Sequence, residues 1–450
     1  MSKQGETAKI SQKFIASCQQ TFRENRQSCL AQNAVTHVDL HKVAMSRRAF
    51  YKIEHTFSHQ VKDEGKVTNQ KSTGRCWLFA ALNVLRLPLM KKYKLTSFEF
   101  SQAYLFFWDK LEKANYFLES IITTRNEDLH SRLVMWILTN PLEDGGQWHM
   151  FVNLVKKYGL VPQSAMPETH HSSHSLRMNA LLHAKLREFA CDLRLLHEEG
   201  ASLQKLRQKK NKQLEEIYRI LSIFLGTPPQ TFDWHFRDKK KKYSSFTKLT
   251  PKNFFRHHVP CNLDKLVCLI HAPTKDKPMH KVYTIEYLGN VVGGDIIRYL
   301  NIPIKDLKAY TCAALKSKQA VWFGCDVGKL FDRDLGVMDL DLYDYELVFN
   351  TKLHQNKADR LNYRQSCMTH AMVFTGVDIK KGKSTKWRVE NSWGDKYGDK
   401  GYYLMTDKWF DNYLYEVVID ERFLPAKVRS LAKQKPFVLP PWDPMGSLAC

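Results

Sequence analysis

The chain has 450 residues, 43% of them apolar and 26% charged, and its formal net charge is +23. Those fractions are typical of a soluble globular protein, and the length predicts one elaborated domain or two to three sub-domains. No run of about 18 apolar residues occurs, which excludes a membrane-spanning helix, and the opening MSKQGETAKISQKF lacks the apolar core of a secretory signal.

Residues 1–60 read as helices with short breaks, since ISQKFIASCQQTF repeats apolar positions near a 3.6-residue period. VTNQKSTGRCW follows as a loop and runs into CWLFAALNVLRLPLMKKY, an apolar helix that Pro88 is expected to kink or end. Helical patterns continue through FSQAYLFFWDKLEK and HMFVNLVKKYG, with the loop NPLEDGGQW between them. From about 174 to 225 the pattern is helical and heavily charged, until Gly226, Pro228 and Pro229 end it. The character then changes. AVWFGCDV, HAMVFTGVDI, TKWRVENSW and GYYLMT are short β-type runs bounded by turn residues. A helical half preceding a sheet half predicts an α+β protein.

One constellation carries chemistry. A thiolate, not a thiol, attacks an amide, and a helix N-terminus or an imidazolium lowers a thiol's pKa. Cys76 stands where the loop Ser72-Thr73-Gly74-Arg75 meets the apolar helix, so its sulfur and its own N–H fall at the positive end of the helix dipole. Just upstream, Gln70 offers a side-chain amide as a second donor for an oxyanion. His370 opens a β-type run, and Asn391 lies at the end of the next one, with KKGKST as the turn between them. On adjacent strands the asparagine accepts from the histidine ring and fixes its orientation. Trp393 is placed to cover that pair from water, and Trp77 and Trp393 are expected to contact substrate. A lone Cys or His is usually a core residue, but these residues together reverse that reading.

QKSTGRCW, THAMVFTGV and NSWGDKYGDKGYYLM resemble the three blocks of the papain-like cysteine peptidases, in the order Cys, His, Asn. VTNQKSTGRCW, FEFSQAYLFFWDK, DGGQW, AVWFGCDVGK, LYDYELVF and the tail PWDPMG are similar to the bleomycin hydrolase branch, and they spread over nearly the whole chain. The separation of Cys76 from His370 far exceeds the ~130–150 residues of papain-type enzymes, and the excess matches the helical insert and the segment after it. The resemblance implies a papain-like fold in five parts: a helical extension (1–60), a helical half with the nucleophile helix (61–170), a hook-like helical insertion for oligomerisation (171–300), an antiparallel β half with His370 and Asn391 (301–430), and a C-terminal arm (431–450). It implies a cytoplasmic homohexameric cysteine aminopeptidase without cofactor or metal, acting on peptides or amides with a free N-terminus, and on the amide of bleomycin and homocysteine thiolactone. The proline-rich tail would lie in the cleft, its terminal carboxylate at Cys450, or at Ala449 after trimming, meeting the substrate's amine.

Other signals carry less. The ten cysteines are expected as mostly reduced thiols without zinc spacing. His170, His171 and His174 read as a solvated loop, the Asp-rich run 332–344 lacks a calcium-loop pattern, and GVDIKKGKS misses the phosphate-loop spacing. The basic runs at 205–213 and 237–242 read first as solvated faces. Any nucleic-acid binding through them would be weak, salt-sensitive and indifferent to sequence. An inactive homologue acting as a basic nucleic-acid-binding or scaffold protein is the rival class, and a peptidase assay separates the two.

Overall fold

A computed structural model describes residues 8–62 and 64–447. The helical half is built around Cys76–Tyr93, which is apolar on all sides and buries twelve of its residues, from Cys76 to Met90. A helix with no polar face belongs inside a core. It runs on through Pro88 to Tyr93. Burial on every side outweighs the ~3 kcal/mol that an interior proline costs, so the expected break at Pro88 does not occur.

Gln102–Thr123 and Trp148–Tyr158 pack beside this helix. Ser101 caps the first of them with its hydroxyl on the Tyr104 N–H. Leu176–Glu198 and Leu203–Leu225 form an antiparallel pair laid on Gln102–Thr123. Their inward stripes are Met178, Leu182, Leu186, Phe189 and Leu193 on one helix, and Leu206, Ile217, Leu221 and Leu225 on the other. Gly226 at φ +80° ends the second helix. The 171–300 segment is therefore helical mainly in its first part, with the short helix Pro251–His258 further on. Beyond Gly226 it makes the hairpin Phe232–Arg237/Tyr243–Leu249 and three strands of the main sheet. The basic run at 205–213 is partly neutralised from within: Lys210 and Arg207 meet Glu119 at 2.6 and 3.1 Å, and Lys209 meets Asp192 at 3.2 Å.

The sheet is mixed. Along its main path the strands run Phe437–Leu439, Val282–Ile285, Tyr299–Asn301, Leu266–Ile270, Leu414–Asp420, Val321–Cys325, His370–Lys380, Lys383–Glu390, Tyr402–Thr406, Val337–Met338 and Phe331–Asp332. The central ladder is antiparallel, as expected, and parallel pairs occur towards both ends. His370–Lys380 is joined to Lys383–Glu390 by Lys381 and Gly382, at φ +51° and +77°, the signs a two-residue hairpin with the natural strand twist requires. The Cys76–Tyr93 helix packs across His370–Lys380. Two secondary-structure layers thus meet along one line, and the candidate site lies on it.

The described part of the N-terminal extension carries helices between Gln12 and Phe50. Leu40–Ala44 docks on a small core around Val337, Leu342 and Tyr343, and Val35 packs against the same core. Gln12–Glu24 and Arg26–Val35 bury no residue, and Ile10, Phe14 and Phe22 stand exposed. Among the described residues no helix is long and apolar enough to cross a membrane.

Candidate active site

Cys76 is the first residue of its helix, and Arg75 stands at the N-cap without a side-chain capping bond. The arginine is occupied elsewhere. Its guanidinium meets the Glu168 carboxylate in two bonds of 3.0 and 2.8 Å, its Nε donates to Thr73 Oγ1, and it lies 5.0 Å from the rings of both Phe79 and Phe106. The loop before Cys76 is thus fixed from outside, and the dipole end of the helix is left to the sulfur.

The sheet supplies the other two groups. His370 opens its strand opposite Cys325, and Asn391 follows directly on Lys383–Glu390. His370 Nε2 lies 2.8 Å from Asn391 Oδ1, both residues being buried. An Asn oxygen is an acceptor only, so Nε2 carries the hydrogen and Nδ1 is left for another partner. The next residue on the strand, Ala371, donates its N–H to Cys76 Sγ at 3.4 Å. The thiol therefore sits against the same short stretch of strand as the histidine. The Trp393 ring lies 5.0 Å from the His370 ring. Burial pushes the His370 imidazole down to about 4, against the upward pull of the Asn391 bond.

Gln70 is buried beside the loop. Its Nε2 donates to Thr73 O at 2.6 Å, and its Oε1 accepts from the Ser392 hydroxyl at 2.6 Å. Gln70, Thr73, Gly74, Thr369, His370 and Trp393 line one hollow of about 620 Å³, together with the carboxylate-bearing Asp144 and Asp326. Trp77 corrects its expectation. It is fully buried, its Nε1 donates to Asp144 O at 2.8 Å, and it is absent from that lining. Its ring lies against Gly146, where a Cβ would come within 2.5 Å, so it braces the loop rather than facing substrate.

The tail is tied down up to Ser447. Phe437–Leu439 adds a strand to the sheet, Asp443 meets Lys277 at 2.8 Å, and Met445 is buried. Ser447 then accepts from Gln147 Nε2 and donates to Met368 O, each at 2.7 Å. Met368 is two residues before His370, so the arm arrives beside the site. Ala449 and Cys450 lie outside the described residues.

A model of the Peptidase C1-like family matches residues 9–446. The chain belongs to the Peptidase C1-like family. It is 47% identical to bleomycin hydrolase of Homo sapiens over 444 residues, covering 97% of this chain and 98% of that protein. It is 46% identical to aminopeptidase C of Streptococcus thermophilus over 430 residues, covering 95% and 96%. The crystal structure of PepW from Lactobacillus rhamnosis HN001 superposes with a TM-score of 0.97 at 46% identity, over 98% of this chain and 100% of that one. The papain-like resemblance read from the sequence is thereby established, as are the α+β class and a hydrolase of the cysteine-peptidase type.

Sequence reasoning missed several neighbours of this family site. Asp144, Glu168, Asp326 and Ser392 hold or line it, although Asp144 lies in the quoted DGGQW and Ser392 in NSWG. Their side-chain partners are far away in sequence, so no spacing signals them. Among the described residues no cluster of three His, Cys, Asp or Glu side chains forms a metal site, His170, His171 and His174 included.

Proposed function

We propose that the chain is a cysteine aminopeptidase that cleaves the N-terminal amide bond of peptides and aminoacyl amides through a thiol acyl-enzyme. The observation that carries this is the His370–Asn391 bond of 2.8 Å beside the sulfur of Cys76 at a helix N-terminus. A buried imidazole with a pKa near 4 takes a proton only beside an anion. Cys76 thiolate is that anion, so proton transfer from thiol to ring creates the nucleophile and the acid as one pair. Cys76 attacks the scissile carbonyl. The Cys76 N–H and the Gln70 amide stabilise the oxyanion. His370 protonates the departing amine and then takes a proton from the water that releases the acyl group, while Asn391 holds the ring. No step calls for a metal or an organic cofactor.

The C-terminal arm is the part of this reading that makes the enzyme count from an amine. With Ser447 bound to Gln147 and Met368, the last three residues would bring a carboxylate to the cleft for the substrate's ammonium group. A homohexamer would bury the exposed apolar face of Gln12–Glu24 and its neighbours, and a cytoplasmic location would keep the nucleophile reduced. The deciding experiment is hydrolysis of a free-amine aminoacyl amide with and without prior iodoacetamide. Turnover abolished by alkylation supports the reading, and absence of turnover by intact protein overturns it.

A further inference from the structure

Asp144 is buried, yet it lines the hollow that holds His370 and Gln70. Its carboxylate receives four donors. Gly74 N–H (3.1 Å) and the Ser175 hydroxyl meet Oδ2, while Lys110 Nζ (2.6 Å) and Asn179 Nδ2 (2.8 Å) meet Oδ1. A carboxylate has about four lone-pair sites. All are filled, so this group is not there to bind a substrate ammonium. Burial alone would raise its pKa, but Lys110 and the hydroxyl and amide donors hold it well below the usual carboxylate range.

The Gly74 N–H belongs to the same peptide unit as the Thr73 carbonyl, and that carbonyl accepts from Gln70 Nε2 at 2.6 Å. A bond to the N–H of a peptide strengthens its oxygen as an acceptor. The chain of bonds runs on. Gln70 Oε1 takes the Ser392 hydroxyl, and the Ser392 N–H donates to Asn391 Oδ1 at 2.7 Å. One end of this chain is a fixed anion, and the other is the asparagine that holds His370.

We propose that Asp144 is a positioning residue for the oxyanion side of the site, acting through the 73–74 peptide on the amide of Gln70. This rests on the cysteine-peptidase reading above and adds a residue to it. One Gln70 hydrogen is spent on Thr73, which aims the second at the place where charge develops on the substrate. Lys110 lies across the carboxylate from Gly74 and balances the charge, so the anion does not oppose the thiolate directly. Ser175 and Asn179, both at the start of Leu176–Glu198 and its cap, tie the helical insert to the same point.

The test separates chemistry at a carbonyl from reactivity of the thiol. Iodoacetamide alkylation of Cys76 forms no oxyanion in an acyl-transfer step, whereas hydrolysis of an aminoacyl amide does. Removing one oxyanion donor typically costs ~10²–10³-fold in kcat, and loss of its alignment should cost roughly tenfold or more. Asp144→Asn should therefore lower kcat by that factor with KM little changed, while the Cys76 alkylation rate at pH 6 stays close to that of the intact protein. In a cycle with Gln70→Ala, the two losses should fall short of multiplying, because Asp144 acts through Gln70. If Asp144→Asn strands the buried Lys110 and does not fold, Asp144→Asn with Lys110→Met carries the same cycle. Fully multiplicative losses, or alkylation falling in parallel with turnover, would overturn the proposal, as would failure of both versions to fold. Lack of turnover by the unmodified protein would instead defeat the peptidase reading itself.

Discussion

The guanidinium of Arg86 lies 2.6 Å from the carboxylate of Glu390, and both side chains are buried. Arg86 is on the helix that begins at Cys76, and Glu390 immediately precedes Asn391. Asn83, one turn earlier on that helix, donates to the same carboxylate oxygen at 3.0 Å. One ion pair thus fixes the helix bearing the thiol to the strand bearing the asparagine. A second buried pair, Arg388 with Glu64 at 2.6 Å, ties the same strand to the loop before that helix.

Cutting that tie from one side should be costly. Removing one partner of a buried pair leaves an uncompensated charge and costs roughly 3–5 kcal/mol. Arg86→Met is expected to lower the thermal midpoint sharply and to reduce turnover in whatever protein still folds. Arg86→Met with Glu390→Gln should recover much of the stability. Thermal denaturation of the three proteins checks this, and a double variant no better than the single one would count against it.

Cys76 should be the thiol alkylated first at pH 6. Burial pushes Cys261 and Cys312 up to about 11 and Cys268 and Cys325 well above the ordinary range. Cys18 and Cys191 are exposed but do not stand at a helix N-terminus. Peptide mass spectrometry after brief iodoacetamide treatment reads the order. Early labelling elsewhere, with activity retained, would remove Cys76 from its proposed role.

His370→Ala should lower turnover by roughly 10²–10⁴-fold, the usual range for losing a general base. Asn391→Ala should cost less, because in the proposed mechanism it only orients the ring. Steady-state kinetics on folded variants decides the order, and the reverse order would require the two roles to be exchanged.

Truncation of residues 445–450 should leave the Cys76 machinery intact but change what it accepts. One extended residue spans about 3.3 Å, enough to change the bond presented to the thiolate. Comparing a free-amine aminoacyl amide with its N-acetylated form, on intact and truncated protein, measures the shift. The blocked substrate should gain. An unchanged preference for the free amine would mean that the arm is not the gate.

Glu416 predicts a pH effect on stability. It sits inside Leu414–Asp420, and neither carboxyl oxygen has a hydrogen-bond partner of ordinary geometry among the described groups. Burial pushes its pKa up from 4.5 to about 8, the Cys268 thiol pulling the other way. The folded state then holds this proton more tightly than the unfolded one. Its contribution is full below about pH 4.5 and is lost as pH rises towards 8. Glu416→Gln should remove that slope, so its stability relative to the unmodified protein should rise from pH 5 to pH 8. Urea denaturation at pH 5 and pH 8 measures it, and equal slopes for the two proteins would refute it.

The legible part of this molecule is local. An apolar helix after a Gly-containing loop, two β-type runs joined by a tight turn, and Gly226 after a charged helical stretch all follow from periodicity and turn chemistry, and all are present. The helix does not end at Pro88, where burial on all sides overrides a stop, and the segment that the resemblance implied as a helical insertion makes short strands after Gly226, stabilised by partners at 414–420 and 437–439. Trp77 was misplaced for a related reason. Being next to Cys76 in sequence put it near the chemistry, but a helix points successive side chains about 100° apart, and its ring went into the core.

The sequence by itself determined which residues are candidates for nucleophile, base and orienting amide, and their order along the chain, because each is proposed from its local context. Only the tertiary structure decided which distant groups hold them. Asp144 reaches Gly74, Glu168 reaches Arg75, Arg86 reaches Glu390, and Ser447 reaches Met368. Each of these contacts joins elements well separated in sequence, at distances set by how a buried helix packs across a sheet. A hydrogen bond depends on tenths of an ångström, and no spacing rule along one chain fixes that.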